Sequence, residues 1–216
     1  MRRIITTAAV GVFAAAATLA FAQGAKDKTT DLPFDLPPGM TEADFEAAMR
    51  AASPGDKHKI LAQLVGVWRG EGRMWMAPGA DPIPAKQKAT FTLIMEGRFV
   101  QGEFEGDMGG MTYVGMGLYG YDNVAQRFES TMIATMGTGM MRGEGSLSSD
   151  GSTIVWNYDY HCAMHGGHTT MRETQRHVDA DTVVFHTYMP DPDTGREFKV
   201  AEYTFKRVSA GAASAR

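Results

Sequence analysis

A single cysteine among 216 residues rules out a disulfide within the chain. Stability must therefore come from a hydrophobic core. Positive charge is also scarce, with 21 Lys and Arg against 25 Asp and Glu. No segment is basic enough to grip a phosphate backbone, which argues against nucleic acid as a partner. Beyond residue 22 no apolar run reaches the length of a bilayer crossing, so no stable membrane span is expected in the mature chain. Catalytic signatures are missing as well. There is no G-x-S-x-G elbow, phosphate loop or dinucleotide fingerprint, and "GDMGGM" and "GTGMM" lack the strand-to-helix setting such loops need. No Ser, His and Asp converge in any register that can be built, and an enzyme is not the favoured reading.

What is present begins with "MRRIITTAAVGVFAAAATLAFA", residues 1–22, where Arg2 and Arg3 precede an uncharged run that ends at Ala20-Phe21-Ala22. This reads as a secretory signal peptide cut before Gln23, although an anchor is the competing reading. The run is rich in Ala and Thr and leads into a polar linker, which favours cleavage. Export places the expected location in a bacterial periplasm or outside the cell. Removing these residues takes away two arginines and no acid, leaving 194 residues with a net charge of −6, enough chain for one core.

Residues 23–40, "QGAKDKTTDLPFDLPPGM", mix charge with proline and read as a flexible leader. Residues 41–65 predict a helical segment in two short pieces. Thr41 caps the first, with acids in its first turn, and Ser53-Pro54 starts the second, whose Leu61, Leu64 and Val65 share a face. From Gly66 to Arg207 the pattern changes to short alternating runs separated by turn chemistry, about ten strands in all. Short consecutive hairpins predict an all-β protein, an antiparallel up-and-down β-barrel. Residues 208–216 read as a disordered tail.

Three turns set the register of the central hairpins. A turn at Asp150-Gly151 places Leu147 opposite Ile154, Gly145 opposite Trp156 and Gly143 opposite Tyr158, so glycines face aromatics. A turn at Gly137-Thr138 places Ala134 opposite Met141, Met132 opposite Gly143 and Phe128 opposite Leu147. With "CAMHGG" as a loop, His161 pairs with His168, Tyr158 with Met171 and Trp156 with Glu173. The inward face then carries Phe128, Met132, Met141, Trp156, Tyr158, Tyr160 and Met171, with Glu173 as its lone charge. Outward lie Arg142 opposite Asp159, Glu144 opposite Asn157, and Arg172 diagonal to Asp159. In "TVVFHTYMP" both Val183/Phe185/Met189 and Val184/His186/Tyr188 make a plausible inner face.

The stretches "HKILAQLVGVWRGEG", "GYDNVAQRF" and "MRGEGSL" resemble an uncharacterised bacterial family, the domain of unknown function numbered fifteen seventy-nine. The carriers are His58, Leu61, Gly66, Trp68, Gly120-Tyr121-Asp122 and Glu144-Gly145, and the resemblance runs from about His58 to Arg207. It implies no particular chemistry. Gly66-Val67-Trp68 also resembles the first-strand G-x-W of lipocalin-like (calycin-type) barrels. That resemblance implies that Trp68 closes one end and that an arginine late in the last strand, here Arg207, packs on it.

Three functions compete. The first is binding of a small apolar or amphipathic molecule in a lumen lined by Phe128, Met132, Met141, Trp156, Tyr158, Tyr160, Met171 and Glu173, methionine being adaptable to varied shapes. The second is a metal-binding accessory protein that holds copper or zinc on His161, Cys162, His165 and His168, since opposed imidazoles with a nearby thiol suit those ions. The third is a structural or interaction barrel whose interior is simply filled. Glu173 weighs on the choice, because a carboxylate facing an apolar space needs a donor, a cation or a proton.

Overall fold

The computed structural model describes residues 34–162 and 166–210. The expected signal peptide, most of the leader, loop residues 163–165 with Met164 and His165, and most of the tail lie outside them. The chain divides into two compact units, residues 1–53 and 54–216.

In the first unit, helix α1 spans Glu42–Ala52 and is capped at Thr41. Thr41 Oγ1 accepts from the Asp44 amide at 3.2 Å, and the Asp44 carboxylate accepts from the Thr41 amide at 2.9 Å. Two orphan donors at the helix start are thus satisfied reciprocally. Ser53 does not start the next helix, contrary to expectation. It ends α1, with its hydroxyl donating to Met49 O at 2.8 Å and its amide to Arg50 O at 3.2 Å.

In the second unit, helix α2 spans Asp56–Ala62. The Gly55 amide donates to His58 Nδ1 at 3.0 Å, which supplies the cap expected of Ser53. Ten strands follow: β1 Gly66–Met74, β2 Ile83–Ile94, β3 Phe99–Met108, β4 Met111–Asp122, β5 Arg127–Ala134, β6 Met141–Leu147, β7 Thr153–Cys162, β8 Gly167–Asp179, β9 Thr182–Pro190 and β10 Glu197–Ser209. Each pairs antiparallel with its successor and β10 pairs with β1, so the sheet closes as a barrel. Closure leaves no edge strand exposed. No helix among the described residues is long and apolar enough to cross a membrane.

The registers of β6–β7 and β7–β8 are those predicted: Gly143 faces Tyr158, Gly145 faces Trp156, His161 faces His168 and Trp156 faces Glu173. The β5–β6 register differs by two residues, with Phe128 opposite Gly145, Ser130 opposite Gly143 and Met132 opposite Met141. Instead of a tight Gly137-Thr138 turn, Thr135 stays bonded to β4: its amide donates to Val114 O at 2.8 Å and its hydroxyl accepts from the Val114 amide at 3.0 Å. The hairpin therefore opens into a wider loop. A two-residue slip preserves the inward and outward alternation, so the same side chains still face inward.

Strand β9 turns Val183, Phe185, Thr187 and Met189 inward, since Val183 pairs with Phe205, Phe185 with Tyr203 and Thr187 with Glu173 and Ala201. Outside, Arg127 bridges Glu129 and Glu144 at 2.9 and 3.1 Å. Arg172 does not turn to Asp159. It lies 4.1 Å over the Tyr188 ring and pairs with Glu197 at 2.7 Å, across β9.

Candidate functional site

The barrel interior has two different ends. At one, α2 packs on β3 and β4 and buries Leu61, with Leu64 just beyond it, against Trp68, Phe91 and Val100. Trp68 is 1% exposed and its indole N–H donates to Leu64 O at 2.6 Å. The Arg207 guanidinium lies 4.1 Å over the Trp68 ring. It also donates to Val65 O, to Gln63 O at 2.8 Å and to Ala180 O at 2.7 Å, which fixes the plane of the stack. His58, buried and set edge-on to Tyr121 at 5.9 Å, completes this seal; burial lowers its pKa, so it packs as a neutral ring.

Above the seal lies an aromatic floor. Trp156, fully buried, stacks on Tyr158 at 6.1 Å and meets Phe128 and Tyr119 edge-on at 6.1 and 5.8 Å. Glycine is required opposite these rings. A Cβ at Gly143 would stand 2.5 Å from the Tyr158 ring, and one at Gly145 would stand 2.8 Å from Trp156. The Trp156 N–H donates to Gln175 Oε1 at 3.1 Å, and Gln175 Nε2 lies 3.0 Å from His177 Nε2. The Trp156 indole and the Gln175 amide are therefore both partnered.

Glu173 stands on the floor, one step up β8 from Gln175 and opposite Trp156 and Thr187. Burial raises its pKa to about 7, against the opposing effect of Thr187, whose hydroxyl donates to Glu173 Oε2 at 3.0 Å. Protein surrounds the carboxyl, yet the residue keeps accessible surface. A residue that looks onto an unfilled space has both properties. Its charge is felt by Tyr119 and Tyr158, whose pKa values are raised first by burial and then by the carboxylate, and by Tyr113, where burial and Tyr203 act ahead of it.

Toward the other end many inward side chains are only half-buried, although the smaller Ala85 and Thr169 are buried. Met132, Met141, Met171 and Tyr160 all lie here, joined by Tyr113, Phe185 and Tyr203. Tyr160 donates to Met189 Sδ at 3.5 Å, and the Gln87 amide donates to the Tyr113 hydroxyl. Of the residues singled out from sequence, Phe128, Trp156 and Tyr158 form the floor, Glu173 stands on it, and Met132, Met141, Met171 and Tyr160 lie half-buried above.

The His161 and His168 rings sit 5.8 Å apart at the rim, on the outer face. His168 Nε2 is 3.4 Å from Asp159 Oδ1. Half-buried Cys162 pairs with Gly167, and His165 is outside the described residues. Among the described residues no three His, Cys, Asp or Glu side chains gather as a metal site would require.

Sequence reasoning missed Gln175, Thr187, Tyr119 and Tyr113. Gln175 follows Glu173 by the two-residue period of the inward face and could have been read. Thr187 was hidden because both faces of β9 carry apolar side chains.

A closed ten-stranded antiparallel barrel, sealed at one end by a Trp-Arg stack and half-lined above by Met and Tyr, defines a lipocalin-like protein. The chain belongs to the family described as Protein of unknown function (DUF1579), which matches over residues 53–207. No curated protein matches by sequence. Among solved structures, the fold is similar to that of Rv2717c from M. tuberculosis, with a TM-score of 0.54 and 16% identity over 73% of this chain and 100% of that one. It is also similar to an S-type phycobiliprotein lyase, CPES, from Guillardia theta, with a TM-score of 0.53 and 12% identity over 71% of this chain and 93% of that one.

Proposed function

We propose that this protein is exported to the periplasm or the cell exterior, and that there it binds a small apolar or amphipathic molecule in the barrel lumen without transforming it. The observation that carries this is the contrast in burial along one inward surface. Trp156, Tyr158 and Phe128 are at most 2% exposed, whereas the inward Met132, Met141, Met171, Tyr113 and Tyr203 above them retain accessible surface. A filled core would bury both sets alike. Flexible thioethers around a space with a rigid aromatic base suit a ligand held mainly by shape and apolar contact. One barrel of similar fold is named as a lyase acting on phycobiliproteins, so such a scaffold also serves proteins with an activity. Among the described residues the Glu173 carboxylate has no second acid or imidazole beside it, which favours binding over catalysis.

Titration with an environment-sensitive naphthalene dye tests the proposal. The wild type should enhance and blue-shift the dye emission, and a Met132→Trp/Met171→Trp variant, which fills the space, should lose that response while keeping its melting transition. Equal dye binding by the filled variant overturns the lumen as the site. Export is tested by N-terminal sequencing of the protein secreted from a bacterial host, which should begin at Gln23.

A further inference from the structure

The lumen carries one acid and, among the described residues, no base. Among the described residues Arg207 and His177 are the other charged or basic groups on the inward face, and both belong to the sealed end, Arg207 over Trp68 and His177 against Gln175 below the floor; the Cys162 thiol lies near Tyr160 at the opposite end and offers no positive charge. Among the described residues the Glu173 carboxylate thus has one donor, the Thr187 hydroxyl on Oε2. An ionised carboxylate accepts up to about four hydrogen bonds. Tyr113, Tyr119 and Tyr158 lie near enough for the carboxylate to oppose their ionisation. Leaving an ion so poorly paired in an apolar setting is costly, and the cost is relieved by a cation brought in from outside.

We propose that Glu173 selects a cationic amphiphile: a protonated amine that seats against the carboxylate and Thr187 on the aromatic floor, with an apolar body extending up the methionine-lined space. This deepens the lumen-binding reading and rests on it. The surrounding tyrosine rings favour the same charge, because the face of an aromatic ring attracts an ammonium group. An anionic amphiphile such as a fatty acid meets a like charge there with no arginine or lysine to offset it, and is rejected.

Decylamine, 1-decanol and decanoate share one apolar chain and differ in head group, so their competition against the naphthalene dye at pH 8 isolates the head. Decylamine should bind at least about tenfold tighter than decanol, and decanoate weakest of the three. In Glu173→Gln, which keeps the size of the side chain, the amine should lose that advantage while decanol stays within about twofold. Decanoate binding as tightly as the amine overturns the proposal, as does an amine preference that survives in Glu173→Gln. The wild-type ranking alone decides even where the variant folds poorly. If neither the dye nor any decyl probe binds, the lumen reading itself fails; if dye and decanol bind with no preference for the amine, only the present proposal fails.

Discussion

The two halves of the barrel are built on one wall of ten antiparallel strands, yet their interiors differ. The sealed half buries Trp68, Trp156, Phe128, Ile154 and Val100 at 1% exposure or less. The open half presents the inward methionines Met74, Met108, Met132, Met141, Met171 and Met189, all half-buried, with Met111 exposed at the strand tip beside Met108. Rigid rings facing glycines make a jigsaw that a single ordered state can satisfy. Unbranched thioethers around a space make a lining that adjusts. Strand geometry closes the barrel, and the choice between ring and thioether at inward positions divides the closely packed half from the half-buried one.

The largest expected effect tests the packed half. Trp156→Ala removes a fully buried ring together with the partner of Gln175 Oε1, and should lower stability by about 4 kcal/mol, read from urea unfolding. A loss below about 1 kcal/mol would mean that the floor is as loose as the mouth, and the contrast between the halves would collapse.

The next effect sits at the boundary between them. Glu173 has a folded-state pKa of about 7 against an ordinary 4.5. Between those values the folded protein holds a proton that the unfolded chain has released, so stability is full below about pH 4.5, falls as pH rises through the window, and levels off above pH 7. Glu173→Gln removes this dependence. The variant should match the wild type near pH 5 and exceed it at pH 8 by on the order of 2 kcal/mol. Parallel stability curves at the two pH values would place Glu173 in contact with bulk water and outside the lumen.

Much of this division could be read before the structure was seen, and the exceptions have physical causes. Glycines opposite Trp156 and Tyr158 were legible because Asp150-Gly151 makes a sharp turn and side-chain period fixes everything beyond it. The β5–β6 register was not legible, since Thr135 has a competing partner on β4 that local turn chemistry does not reveal. The inner face survived that error only because the slip was even-numbered. Glu173 was placed on the inner face by its register with Trp156. Its one protein donor, Thr187, lay in a strand whose two faces look equally apolar. Whether the space above was filled could not be read from residue types, because methionine packs a core as readily as it lines a pocket. The accessible surface that Met132, Met141 and Met171 keep is what supports the second reading.

The smallest effect on stability carries the sharpest test of the open half. Met132 and Met141 face each other across β5 and β6, and replacing both by leucine conserves bulk while removing a rotatable bond and a polarisable sulfur from each. In a close-packed core such a swap forces repacking, with costs of up to about 1.5 kcal/mol. In a lining with free space beside it, the double variant should unfold within about 0.5 kcal/mol of the wild type. Binding should change more than folding does. Two dyes of different shape, one flat and bicyclic and one linear, should shift in relative affinity by several-fold, because branched leucines fit one shape at the expense of the other. If stability falls and the ratio of affinities stays put, the methionines are filling a core. If the ratio moves while stability holds, they are the adjustable wall of a binding site.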